Sequence, residues 1–501
     1  MPTAKKNHRG QIISGPSELK KILAKEYKER LRSRPVRPDL LEFEERKTLI
    51  FKMKMQLAES NESSEWSISD LENALNDLKR NKSRDNEGLI NEIFKLDVIG
   101  ENLKLSLLLM FNILKKKKII AEFLNYANVT TVPKRGSRML LINERGIFRV
   151  AVVRCILMRL IYNSKYPEVD ANMSDCQMGA RKAKSCKNNI FIINGIIHDV
   201  MRSKKMKPVL LQIYDYSQMF DSVNLEKAIS DIYDTGLKDD NLVLIYKANK
   251  EINMAVNTPS GLTERQIISN SVLQGDTFGS LLSSVQVDTI GKEAADSGYG
   301  YKYKDSVEVS LLGLVDDLIG VTEAGYKAQQ MNALINVKTA DKGIQFGVKK
   351  CKSMLVGKNE NVLNSHLTVD NWKVTYEDIP EVGRDVLLDS FEGLISIDKT
   401  DEQKYLGFVL SNRGNNMVNI NHMKNKSKGI IKKIFSKLES LHLKQYYFEC
   451  AIVFMNTMLR SSILYACDTY YNLKEREISV LGNPRQGISR PAAFCIIRTR
   501  K

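Results

Sequence analysis

The chain has 501 residues, with 76 Lys plus Arg against 59 Asp plus Glu, a net charge of +17 and a pI near 9.3. Its 43% apolar content supports a large core, and its length predicts several domains or lobes. The basic excess points to a polyanion, nucleic acid before others, with a merely solvated basic surface as the alternative. Seven scattered cysteines without a CxxC pair offer neither a disulfide framework nor a zinc finger.

The N-terminus, MPTAKKNHRG, lacks the apolar core of a signal peptide. No apolar run approaches the roughly 18 residues of a membrane span. The expectation is a soluble, intracellular protein of nucleus or cytoplasm with no membrane partner. Residues 1–60 read as helical and highly charged. In "WSISDLENALNDLKRNKSRDNEG", Ser69 is the expected cap of a helix whose stripe is Leu71, Ala74, Leu75 and Leu78. "LSLLLMFNILKKKK" (105–118) is an apolar helix whose lysines suit either its C-terminus or nucleic acid. "YANVTTVPKRG" (126–136) predicts a strand and a basic turn.

From about residue 207 the texture changes. "PVLLQIYDYSQMFDSVN" runs from a strand into a helix near Ser222, and "LTERQIISNSVLQGDTFGSLLSSVQVDTIG" reads strand, glycine turn, helix. "VEVSLLGLVDDLIGVT" is strand–turn–strand, the next segment is helix then strand, and "KYLGFVLS" (404–411) is a further strand. That order predicts an α+β lobe, a sheet with two helices on one face. Beyond 412 the chain is helical and basic, with Lys424, Lys426, Lys428, Lys432, Lys433 and Lys437.

Three pieces carry chemistry: Asp215 at the end of a strand, Gln274–Gly275 in a glycine turn, and Asp316–Asp317 in a hairpin turn. If the first strand and the hairpin are neighbours, Asp215 and Asp316 converge. Crowded carboxylates repel unless cations lie between them, and hard oxygen ligands suit Mg²⁺. The second acidic pair, Asp239–Asp240 in "GLKDDNLVLIY", reads instead as a loop or helix cap.

These segments together resemble a reverse transcriptase, closest to those of non-LTR (LINE-type) retrotransposons. "YDYSQMFDSVN", "VLQGDTFGSLL", "GLVDDLIG", "FGVKKCKSMLVG" and "KYLGFVLS" are similar, in order, to the family's palm motifs and primer-grip strand. "VTTVPKRG" and "CQMGARKAKSCKNNI" resemble segments ahead of the palm. The likeness runs from about 66 to 475.

The resemblance implies a right-hand polymerase fold: a basic helical N-terminal spacer (1–60), fingers (61–205), palm with fingers insertions (206–411), a helical thumb-like region (412–478) and a disordered or truncated tail (479–501). It implies two Mg²⁺ ions (or Mn²⁺) on Asp215, Asp316 and Asp317 with the Tyr216 carbonyl, and Lys350 as general acid. Lys134, Arg145, Phe220, Gln274 and Gly275 would bind the nucleotide, Phe220 as the gate against a ribose 2′-hydroxyl. Tyr405, Leu406 and Gly407 would grip the primer. The implied partners are an RNA template, a DNA primer or target and dNTPs.

Some positions depart from the family pattern. Leu314–Val315 stand where an aromatic and Ala are usual, Thr277 and Gly279–Ser280 where Pro and Ser-Pro are usual, Gln218–Met219 where Lys-Ala is usual, and "NERGIF" lacks Arg-Pro-Ile. Two expectations therefore stand side by side: an RNA-directed DNA polymerase of a mobile element, or a catalytically decayed, truncated relative that only binds nucleic acid. A host-bound reverse transcriptase such as an intron maturase is a third, without an added maturase domain to support it.

Overall fold

The strand Val209–Asp215 owes its place to its composition. Six of its seven residues are buried and only the terminal Asp215 emerges, the pattern of a strand covered on both faces. In this computed structural model, which describes residues 5–6, 12–13, 15–31, 41–134, 144–203, 206–217, 219–269, 272–303, 307–347, 350–357, 366–368 and 394–440, it is the middle of a five-stranded central sheet. The order is Leu311–Leu314, Asp317–Glu323, Val209–Asp215, Lys352–Val356, Asp398–Lys399. The first four pair antiparallel and the last joins in parallel.

Period-two alternation divides this sheet between two cores. Tyr214 and Leu318 face one core, with the helices Gly279–Asp296 and Tyr326–Asp341. Val209, Leu211, Ile213, Ile319 and Val321 face the other, formed with the helix Cys186–Arg202 and with Tyr405, Phe408 and Leu410. The expected two helices on one face are present. The opposite face is covered as well, by a helix that precedes the sheet in sequence.

A second, side sheet is built from Glu144–Val150, Tyr126–Pro133, Ile252–Thr258 and Gly261–Leu262, with Gln266–Ile268 also on Ile252–Thr258. Leu19, Leu23 and Tyr27 of the helix Pro16–Arg30 share its core. The helix Leu41–Ser60 packs on Leu225–Asp234 and Asp240–Lys250. It is tied there by Lys54–Asp234 at 2.6 Å and Glu44–Lys227 at 2.8 Å.

Helix starts follow local chemistry. Ser67, not Ser69, caps Ile68–Asn76 through a capping box with Asp70. Asp239 caps Asp240–Lys250 by accepting from the Asn241 N–H at 3.1 Å, so the second acidic pair is a helix cap. The 105–118 run falls in the helix Glu101–Lys117. There Lys115 donates to the Ser64 carbonyl at 2.6 Å and lies over the Trp66 ring at 4.3 Å, a structural use of that lysine. The helix Asn416–Ser440 follows the hairpin Glu402–Ser411 and exposes Lys426, Lys428, Lys432 and Lys433. Residues 441–478 and the 479–501 segment lie outside the described residues.

Candidate active site

Asp215 and Asp317 are direct cross-strand partners, so their side chains leave the same face of the central sheet. Asp316 is one residue back, in the two-residue turn closed by Leu314 and Asp317. The chain beyond Asp215 is pinned by residues 345–347: the Gly347 N–H donates to the Asp215 carbonyl at 2.7 Å and the Ser217 N–H to the Gln345 carbonyl at 2.8 Å. That pairing does not use the Tyr216 carbonyl, while the Tyr216 ring stacks on Phe346 at 5.2 Å. The Asp215 N–H donates to Cys351 Sγ at 3.4 Å.

The three acids oppose one another's ionisation. Asp316 is held above the usual carboxylate range by burial and by Asp215, against its own backbone N–H and the opposing charges of Arg145 and Lys350. Asp317 is an exposed residue, yet desolvation of its carboxyl by the surrounding protein, then Asp316 and Asp215, push it up to about 6 against Lys350. Lys350 Nζ lies 2.9 Å from Asp215 Oδ2, a cation already beside the cluster.

The donor set fits Mg²⁺, which takes one or two carboxylates and completes its shell with water and phosphate. Among the described residues no group of three or more His, Cys, Asp or Glu side chains is gathered closely enough to hold an ion alone. The residues therefore fit an open site that phosphates complete, not a closed protein cage.

The side sheet brings cations to this edge. Arg145 sits opposite Val132, and Lys134 follows that strand's end. Burial holds Lys134 below the ordinary lysine range; Asp221 opposes this, and Arg30, Arg145 and Lys350 add to it. Asp221 is raised by burial against Arg30, Lys134 and Arg145. Arg145 and Lys350 thus act on both Lys134 and Asp316, while Lys134 acts on Asp221. Phe220 is half-buried against the helical core.

Gln274 and Gly275 are placed by the side sheet rather than by the acids. The Phe148 N–H donates to the Gln274 carbonyl at 3.0 Å. Gly275 has φ +115°, and a Cβ there would stand 3.0 Å from the Phe148 carbonyl oxygen, so the turn needs glycine. Asp276 anchors it from beneath, paired at 2.8 Å with Arg154, which is fully buried and also holds Asn249 Oδ1 at 3.0 Å.

Tyr405 and Phe408 close a hairpin whose turn residues, Leu406 (φ 48°) and Gly407 (φ 83°), have the signs of a type I′ turn. The Tyr405 hydroxyl donates to the Leu312 carbonyl at 3.4 Å, which brings the hairpin against the strand leading to Asp316.

Three residues had no role read from the sequence: Gly347, Arg154 and Gln177. Gly347 and Gln177 lay in segments already marked as motifs and Arg154 in a stretch given no reading, and each has its partner remote in sequence. Gln177 is fully buried and bonds to the Val315 backbone, 138 positions away.

A family model described as reverse transcriptase (RNA-dependent DNA polymerase) matches residues 132–410, more than half of the chain. Comparison with curated proteins gives no match.

Proposed function

The chain belongs to the reverse transcriptase family, and from that premise we propose that it is an RNA-directed DNA polymerase of a non-LTR mobile element, extending a DNA 3′-hydroxyl on an RNA template. The observation that carries this is the register of Asp215 opposite Asp317, with Asp316 in the adjoining turn. Asp316 and Asp317 resist ionisation beside Asp215, and bound cations would favour their charged forms. Asp215, Asp316 and Asp317, with the Tyr216 carbonyl, are the groups to hold two Mg²⁺ ions. Two such ions, when bound, would supply activation of the 3′-hydroxyl and charge stabilisation on the departing pyrophosphate.

The remaining roles belong to side chains. Lys134 and Arg145 bind the triphosphate from the side sheet, as fingers to the central sheet's palm. Lys350, exposed and paired with Asp215, gives a proton to the leaving pyrophosphate in this reading. Gln274 and Gly275 present backbone to the nascent pair, and Phe220 closes the space beside the sugar C2′. The Tyr405–Gly407 turn holds the primer, and the lysines of Asn416–Ser440 lie along the duplex backbone as a thumb.

Primer extension by the wild-type chain tests this. An RNA template, a DNA primer and dNTPs with Mg²⁺ should give DNA that a chelator abolishes. Template binding without synthesis at any Mg²⁺ concentration would contradict it and leave a nucleic-acid-binding relative.

A further inference from the structure

Val315 has φ +59°, in the left-handed region that β-branched residues avoid. It is the first of the two residues turning the Leu311–Glu323 hairpin, and only this one of the pair has positive φ. Such a turn ordinarily takes glycine there. Its neighbour is Asp316, so the Val315 peptide groups set where the Asp316 carboxylate begins.

One side chain holds both of those groups. Gln177 Oε1 accepts the Val315 N–H at 2.8 Å, and Gln177 Nε2 donates to the Val315 carbonyl at 3.2 Å. The same Oε1 accepts the Gly179 N–H at 2.7 Å, which fixes the amide's orientation. Gln177 has no exposed surface. Its backbone neighbours hold Gly313, two residues before Val315: the Gly313 N–H donates to the Cys176 carbonyl at 2.7 Å, and the Met178 N–H to the Gly313 carbonyl at 2.9 Å. A Cβ at Gly179 would stand 2.3 Å from the Val315 nitrogen, so the segment closes tightly on the turn.

We propose that Gln177 is a positioning residue of the catalytic site, whose buried carboxamide clamps Val315 in its left-handed conformation and thereby aims Asp316 at the metal position. The inference rests on the polymerase reading of the acids. The clamp makes a non-glycine turn serviceable, and a glycine at 315 would reach the same φ with less need of it.

The test compares wild type, Gln177→Met, Val315→Gly and the double variant as full-length protein. Mn²⁺ binding is followed by electron paramagnetic resonance, the Mg²⁺ dependence of primer extension is titrated, and thermal unfolding and RNA affinity are measured alongside. Gln177→Met should weaken Mn²⁺ binding and raise the Mg²⁺ needed for half-maximal synthesis by about 10- to 100-fold, as outer-shell partners of metal ligands do. RNA affinity should hold, and adding Val315→Gly should recover most of the metal affinity. A folded Gln177→Met with wild-type metal dependence, or a double variant with no recovery, would overturn the proposal. Should Gln177→Met fail to fold, Gly179→Ala displaces the turn while keeping the amide; it should weaken metal binding in the same way, and unchanged binding would overturn the proposal. If the wild type makes no DNA, the polymerase reading fails and the Mn²⁺ arm alone decides for or against the clamp.

Discussion

Gly347 lies so close against Asp215 that a Cβ added to it would stand 2.9 Å from Asp215 Oδ2. That oxygen is also the one Lys350 approaches at 2.9 Å. Gly347 has no positive φ, so alanine there strains no backbone. The atom in its way is the far end of a side chain and can swing aside, taking its contact with Lys350 with it.

Gly347→Ala should therefore leave thermal stability nearly unchanged while moving a carboxylate. Synthesis should fall by about a hundredfold, the scale of a misplacement near 1 Å. Single-turnover primer extension alongside thermal unfolding checks this. A normal rate would mean that the Asp215 carboxylate tolerates displacement.

Protons and metal compete for the acidic cluster. Asp316 and Asp317 have folded pKa values above the unfolded ones, Asp317 at about 6. Their contributions to metal-free stability are thus fully present below the unfolded value near 4 and are lost as pH rises through the raised folded values, about 6 for Asp317. Metal binding needs the ionised forms, so the Mg²⁺ required for half-maximal synthesis should climb as pH drops below about 6. Asp317→Asn should flatten the metal-free stability profile between pH 4 and 7, measured by denaturant unfolding.

The Arg154–Asp276 pair is fully removed from water. Asp276→Ala leaves a buried guanidinium without its counter-charge, and that should cost about 3–5 kcal/mol. Equilibrium urea unfolding gives the number. A loss below 1 kcal/mol would mean that the Ala248 carbonyl and Asn249, which also accept from Arg154, suffice.

Phe220→Val opens space beside the proposed sugar position. Discrimination between dNTPs and rNTPs should fall by at least about tenfold, the scale set by a side chain's apolar bulk in a pocket. Competition of the two nucleotides in primer extension reads it directly. Unchanged discrimination would return Phe220 to a packing role.

Parts of this arrangement are legible in the sequence. "VLLQIYD" shows a buried strand ending in an acid, and two acids between apolar runs show the hairpin. Composition does not give the register. A one-residue slip would send every side chain to the other face, so Asp317, rather than Asp316, emerging opposite Asp215 is visible only in the paired strands. The amphipathic helix Cys186–Arg202 advertises an apolar face but not which sheet it meets. Arg154 sits in an apolar helix whose pattern gives no hint of an acid 122 residues on. Gln177 bonds to a backbone, and a backbone partner leaves no mark in side-chain identity. Ser67 and Ser69 stand two residues apart at the start of the same helix; Ser69 falls inside its first turn, and the capping box with Asp70 selects Ser67.

The central claim is that the acidic hairpin performs metal-dependent DNA synthesis, and Asp316→Ala tests it most directly. Primer extension on an RNA template with Mg²⁺ should be abolished, while salt-sensitive RNA binding, which depends on the lysines and arginines, should stay near the wild-type level. Equal synthesis by Asp316→Ala and the wild type would contradict the assigned site.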